Sequence, residues 1–205
     1  MASSQIENVV VALRNQGIVF DRGLTTNELR ENENRYDLRF PPDLVEFLSL
    51  GLPVSQGFPN WRTGMITRTK DVIPIAEQLE WPADGICFDI EHNNFWMEEW
   101  GPQLEDMQHA FQLAREKIKE APALVPVFEH RFLPVEPLLE GNPVLSVWQT
   151  DIIYYGVDLP NYLANEFHLP PSSQANGNKS PRRIRFWSDI IEKGDAEFEL
   201  ERDGL

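Results

Sequence analysis

Apolar and polar positions change period several times along this chain, and each change marks an element. In Gln5–Gln16 the residues Ile6, Val9, Val10 and Leu13 recur at helical spacing and predict a first helix. Thr25–Glu33 predicts a shorter one, with Thr25 or Thr26 able to cap it and Glu28 and Glu31 early in it. A third starts at Pro41 and Pro42, which suit a first helical turn. Its buried stripe is Leu44, Phe47 and Leu48, and Gly51 and Pro53 end it. Gly57–Asn60 reads as a turn-rich loop leading to Trp61-Arg62, and Asp71–Leu79 as another helix, broken off before Pro82.

The centre reads as β-rich. Gly85–Ile90 is almost continuously apolar, as a strand covered on both faces would be, and Phe95–Trp100 is a second aromatic segment closed by Gly101-Pro102. Leu104–Glu120 is the clearest helix, with Met107, Phe111, Ala114 and Ile118 on one side. Leu124–Phe128 and Pro143–Trp148 are further strands. After a polar kink comes the apolar run Ile152–Tyr155, which Gly156 breaks. Asp158 then opens a helix with Leu159, Tyr162, Leu163 and Phe167 on one face. His168–Pro181 is rich in Pro, Ser, Asn and Gly and is expected to be a mobile loop; Arg182–Ile191 resumes order, and the acidic tail from Glu192 is expected to fray. These elements predict one α+β domain over residues 1–167, a loop over 168–181 and a C-terminal appendage over 182–205.

Composition narrows the function classes. With 33 acidic and 18 basic side chains the net charge is −15, opposite to what nucleic-acid backbones or anionic membranes attract. Such a field serves solubility first, as in many acidic proteins, and also favours encounter with a basic protein. A lone Cys87 rules out a disulfide framework or a cysteine zinc cluster. No basic leader or long apolar region opens the chain, and no segment approaches the ~20 apolar residues of a membrane span. A soluble, cytoplasmic, monomeric protein is expected.

The order of a proline-started helix (FPPDLVEFLSLG), central segments GICFDIEHNNFWMEEWGP and LVPVFEHRFLPVEP, and the closing PVLSV…DIIYYGVDLPNYLANEF resembles the SUKH superfamily. That group contains Smi/Knr-type cell-wall assembly regulators and bacterial immunity proteins. The likeness spans roughly Glu28 to Phe167; Leu50-Gly51-Leu52-Pro53 stands where many members carry an Asn-Gly turn. The resemblance implies a twisted, mostly antiparallel central sheet flanked by helices. It also implies a non-enzymatic protein-binding role, often the neutralising of a toxin delivered by a competing cell.

Enzymatic alternatives have thinner support. Asp89, Glu91, His92, Glu129 and His130 supply carboxylates and imidazoles at two expected strand ends, and a metal-dependent hydrolase built on His92 and His130 is the best of them. Neighbours on a strand point to opposite faces, however, and no HExxH, GxSxG or phosphate-cradling glycine motif is present. Without such motifs, no catalytic residue, metal site or cofactor is expected. A scaffold in envelope assembly is a third possibility, by family analogy. Among the aromatics, Trp148 and Tyr154 read as core. The expected partner-binding set is Trp96, Glu98, Glu99 and Trp100 with Asp151, Tyr154 and Tyr155, an acidic and aromatic rim suited to a basic toxin domain.

Overall fold

Period-two alternation along four strands organises the molecule. The computed structural model describes residues 4–170 and 180–203. The first half is largely helical: α1 (Gln5–Asn15), β1 (Phe20–Asp21), α2 (Thr26–Tyr36), α3 (Pro42–Leu50), β2 (Leu52–Pro53), β3 (Pro59–Asn60), β4 (Met65–Thr67), β5 (Val72–Pro74) and α4 (Ile75–His92). A short 3-10 turn, Glu98–Trp100, precedes α5 (Met107–Glu120). Then come β6 (Leu124–Phe128), β7 (Arg131–Pro134), β8 (Val144–Trp148), β9 (Asp151–Gly156), α6 (Leu159–Glu166) and α7 (Trp187–Asp203). Strands β6 to β9 form an antiparallel sheet in sequence order, while β1–β2 and β3–β4–β5 make two small sheets.

Successive residues of the main sheet enter different cores, because strand side chains alternate between faces. Val125, Leu133 and Val144 join one cluster with residues of α1, α3 and α6. Leu124, Phe132 and Leu145 join another with residues of α4, α5 and α7. The sheet therefore lies between two helical layers in a single-domain α+β fold.

Local signals explain most helix starts. Thr25 and Glu28 form a reciprocal capping box at α2, Asp106 accepts from two backbone amides at α5, and Asp158 accepts from the Asn161 amide at α6.

Four expectations need correcting. Val72–Pro74 is a strand, and the helix after it continues through Pro82 to His92, so Gly85–Ile90 is helix α4 and not a strand. An apolar run of that length suits a buried strand and a buried helix alike. Ile75, Gln78, Pro82, Ala83, Ile86, Asp89 and Ile90 are buried at helical spacing. Their burial offsets the roughly 3 kcal/mol that an interior proline costs. Second, Phe95–Trp100 forms a loop and the 3-10 turn. Third, Arg131–Pro134, not set apart as a strand of its own within the segment LVPVFEHRFLPVEP, is a fully buried strand.

Fourth, the C-terminal segment is built into the second core: Ile184, Trp187, Ile190 and Ile191 are buried there, and Trp187 Nε1 donates to the Pro122 carbonyl at 2.7 Å. Helix α7 continues past Glu192, whose carboxylate pairs with Arg183. Of the expected mobile loop, residues 171–179 lie outside the described residues.

Candidate functional site

The tightest architecture surrounds two hairpin turns at one end of the main sheet. Glu129-His130 joins β6 to β7, and Gln149-Thr150 joins β8 to β9. Glu129 and Gln149 both adopt left-handed backbone conformations, at φ 46° and 57°. Non-glycine residues hold such angles only where surrounding structure enforces them.

That enforcement comes from α4. Gln78, fully buried, donates to the Glu129 carbonyl at 2.9 Å, while its own amide oxygen accepts from Arg68. One carboxylate oxygen of the buried Asp89 accepts from both the amide (2.8 Å) and the hydroxyl of Thr150. Gly85 lets helix and turn meet: a Cβ there would stand 2.7 Å from the Gln149 Cα. Glycine is required at that close approach.

Two adjoining hollows open over this frame. One, of about 310 Å³, is lined by Arg68, Asp71, Trp81, Glu129, His130 and Trp148. The other, of about 250 Å³, is lined by Trp81, Asp84, Gly85, Phe88, Trp148 and Gln149. Trp81 and Trp148 are common to both, so the two make one aromatic groove. Trp148 is 59% exposed and Phe88 44%. Alternation sends Val147 into the second core and leaves Trp148, the last residue of β8, outside it; the expectation that Trp148 is core does not hold.

The groove is electrostatically mixed. The Arg68 guanidinium lies over the Trp81 ring at 3.9 Å, a cation–π contact, and burial lowers its pKa. His130 packs its ring edge-on to Trp148, with centroids 6.1 Å apart. Burial, reinforced by the neighbouring Arg131 charge and opposed by Glu129, lowers the His130 pKa.

The residues of the metal-hydrolase alternative gather near this end. Asp89 is committed to Thr150 and Asn93. His92 ends α4, stacked on Phe88 with its Nδ1 3.0 Å from the Phe88 carbonyl. Among the described residues no three His, Cys, Asp or Glu side chains are grouped to hold a metal ion. Cys87 is buried, and burial raises its thiol pKa, the direction opposite to nucleophile activation.

The expected partner-binding set divides among three surroundings. Trp96 and Trp100 are half-buried against the second core: their rings meet edge-to-face at 5.2 Å, Trp100 stacks on Phe186, and Trp96 Nε1 donates to the Gly101 carbonyl at 2.8 Å. Glu98 and Glu99 stay exposed beside them. Tyr154 faces the same core and bonds through its hydroxyl to Ser188. Tyr155, on the other face, lies under the Arg131 guanidinium at 3.8 Å. Asp151, exposed, pairs in register with Trp148. Sequence reasoning missed Trp81, Phe88, Arg68 and Gln78; the isolated Gly85 inside an apolar run was the one local signal of a close approach.

The chain matches no family model, no curated protein and no solved structure. Among the described residues, no helix is long and apolar enough to cross a membrane.

Proposed function

We propose that this chain is a non-enzymatic protein-binding module whose contact surface is the groove between Trp81 and Trp148. The observation that carries the proposal is the 59% exposure of Trp148 beside turns that the buried Gln78 and Asp89 hold by hydrogen bonds. A large aromatic side chain held out on a rigid support loses little entropy on binding, which is why Trp dominates binding hot spots. The strained turns and the Asp89 and Gln78 anchors supply that rigidity. The net charge of −15 favours a basic partner through faster encounter. Together with the resemblance to the SUKH superfamily, this makes an immunity protein that occludes a basic toxin domain the specific form of the proposal.

The test uses the protein encoded immediately upstream of this chain's gene, since immunity proteins tend to be encoded beside their toxins. Calorimetric titration is expected to give a complex that weakens with salt. The substitution Trp148→Ala should cost at least about 2 kcal/mol, roughly 30-fold in Kd. Absence of a complex at low salt, or unchanged affinity in the variant, would overturn the proposal.

A further inference from the structure

Beneath α6, on the sheet face away from the second core, lies a polar cluster that the binding surface does not use. Arg131, Ser146 and Tyr155 come from β7, β8 and β9; Tyr162 and Glu166 come from α6. Arg131 is 9% exposed and Tyr162 fully buried. Arg131 donates to the Ser146 hydroxyl at 3.0 Å and lies over the Tyr155 ring, and that ring meets Tyr162 edge-on at 6.1 Å.

Three atoms in this cluster are closed off from solvent and hydrogen-bonded to no protein group: Arg131 Nε, the Tyr162 hydroxyl and Glu166 Oε2. Arg131 Nε and Glu166 Oε2 stand 3.7 Å apart, beyond a direct hydrogen bond. Tyr162 and Glu166 are four residues apart on α6 and so share one face, and both Glu166 and Arg131 act electrostatically on the Tyr162 hydroxyl. Leaving one such atom unpaired costs on the order of 1–3 kcal/mol, so three together call for a shared partner.

We infer that these three atoms form a binding site for a single internal water molecule. The chemistry of the three selects it. Arg131 Nε–H can only donate, the Glu166 carboxylate oxygen can only accept, and the tyrosine hydroxyl can do either. A water that accepts from Arg131, donates to Glu166 and bonds to Tyr162 satisfies all of them, with the three contacts typical of buried waters. A small anion would face the Glu166 carboxylate and a cation the Arg131 guanidinium, so a neutral donor–acceptor is the only match. The water would tie α6 to the strand that starts at the Glu129-His130 turn.

A crystal structure of the full chain, at a resolution that shows ordered solvent, is the first test. A density peak within hydrogen-bonding distance of all three atoms is expected. Arg131 Nε donating directly to Glu166, with no peak, would overturn the inference. Substitution Tyr162→Phe gives an independent sign test in solution. If the hydroxyl holds a water, the variant loses a hydrogen bond and its thermal midpoint falls by about 2–4 °C. If the hydroxyl is truly orphaned, removing it relieves a penalty, and an unchanged or raised midpoint counts against the site.

Discussion

Two tryptophan pairs in this molecule differ in how far they reach into solvent. Trp96 and Trp100 sit beside exposed glutamates, yet their rings pack on one another and on the second core, with Trp100 stacked on Phe186. Trp81 and Trp148 come from segments 67 residues apart by their numbers and meet across a groove, with Trp148 largely in solvent. Trp96 and Trp100 close a core, as half-buried Trp81 also does, whereas Trp148 is presented by a frame that does not depend on it. Aromatic content and adjacent charge therefore do not distinguish a contact surface from a core edge. What distinguishes them is whether neighbouring elements hold the ring or merely hold the backbone beneath it.

The comparison can be broken most severely at the frame. Asp89→Ala removes the carboxylate that receives both Thr150 donors, leaving them without their partner inside the α4–turn contact. A loss of about 2–3 kcal/mol is expected in denaturant unfolding, because hydrogen bonds to charged groups are the strong ones. The groove should lose its shape with it, so binding through Trp148 should weaken although no groove aromatic has changed.

Next come the tryptophans themselves. Trp100→Ala removes a half-buried ring and should cost about 2 kcal/mol, less than the 3–5 kcal/mol of a fully buried aromatic. Trp148→Ala should stay within about 0.5 kcal/mol of the parent, as a surface substitution does. Paired urea titrations check both, and equal losses would erase the distinction between the two pairs.

The smallest effect is electrostatic. Because the His130 pKa lies below its ordinary 6.5 in the folded chain, the unfolded chain takes up the proton first as pH falls. Stability contributed by the neutral imidazole is then complete above 6.5 and lost as pH drops through the lower folded value. Urea midpoints measured just below pH 6.5 should decline with acid in the parent and decline less in His130→Asn.

Much of the fold was legible because it rests on local chemistry. Helices α1, α2, α3, α5 and α6 follow from period, caps and proline placement, and β6, β8 and β9 from runs bounded by turns. Helix α4 was hidden by two competing signals: Pro82 argued for an end, and the apolar run after Gly85 suited a strand equally well. Only burial against both β6 and α5 decides it. Strand β7 stood in the sequence only as part of the segment LVPVFEHRFLPVEP; its Arg131 packs among Ser146, Tyr155 and Glu166. The groove was legible only in pieces. Asp89, His92, Glu129 and His130 stood out as polar residues, but their shared location depends on α4 being a helix. Trp148 read as core because a strand's last residue carries no sign of where the covering layer stops. The left-handed angles at Glu129 and Gln149 belong to residue types that rarely adopt them, so no sequence signal announced them.

The central claim is that Trp148 is a contact residue and Trp100 a packing residue. Calorimetric titration of Trp148→Ala and Trp100→Ala, side by side, against the protein encoded upstream tests it most directly. The account predicts that Trp148→Ala weakens binding by at least about 30-fold at parental stability, while Trp100→Ala binds as the parent does despite its lower stability. Full affinity in Trp148→Ala, with binding lost in a folded Trp100→Ala, would contradict it.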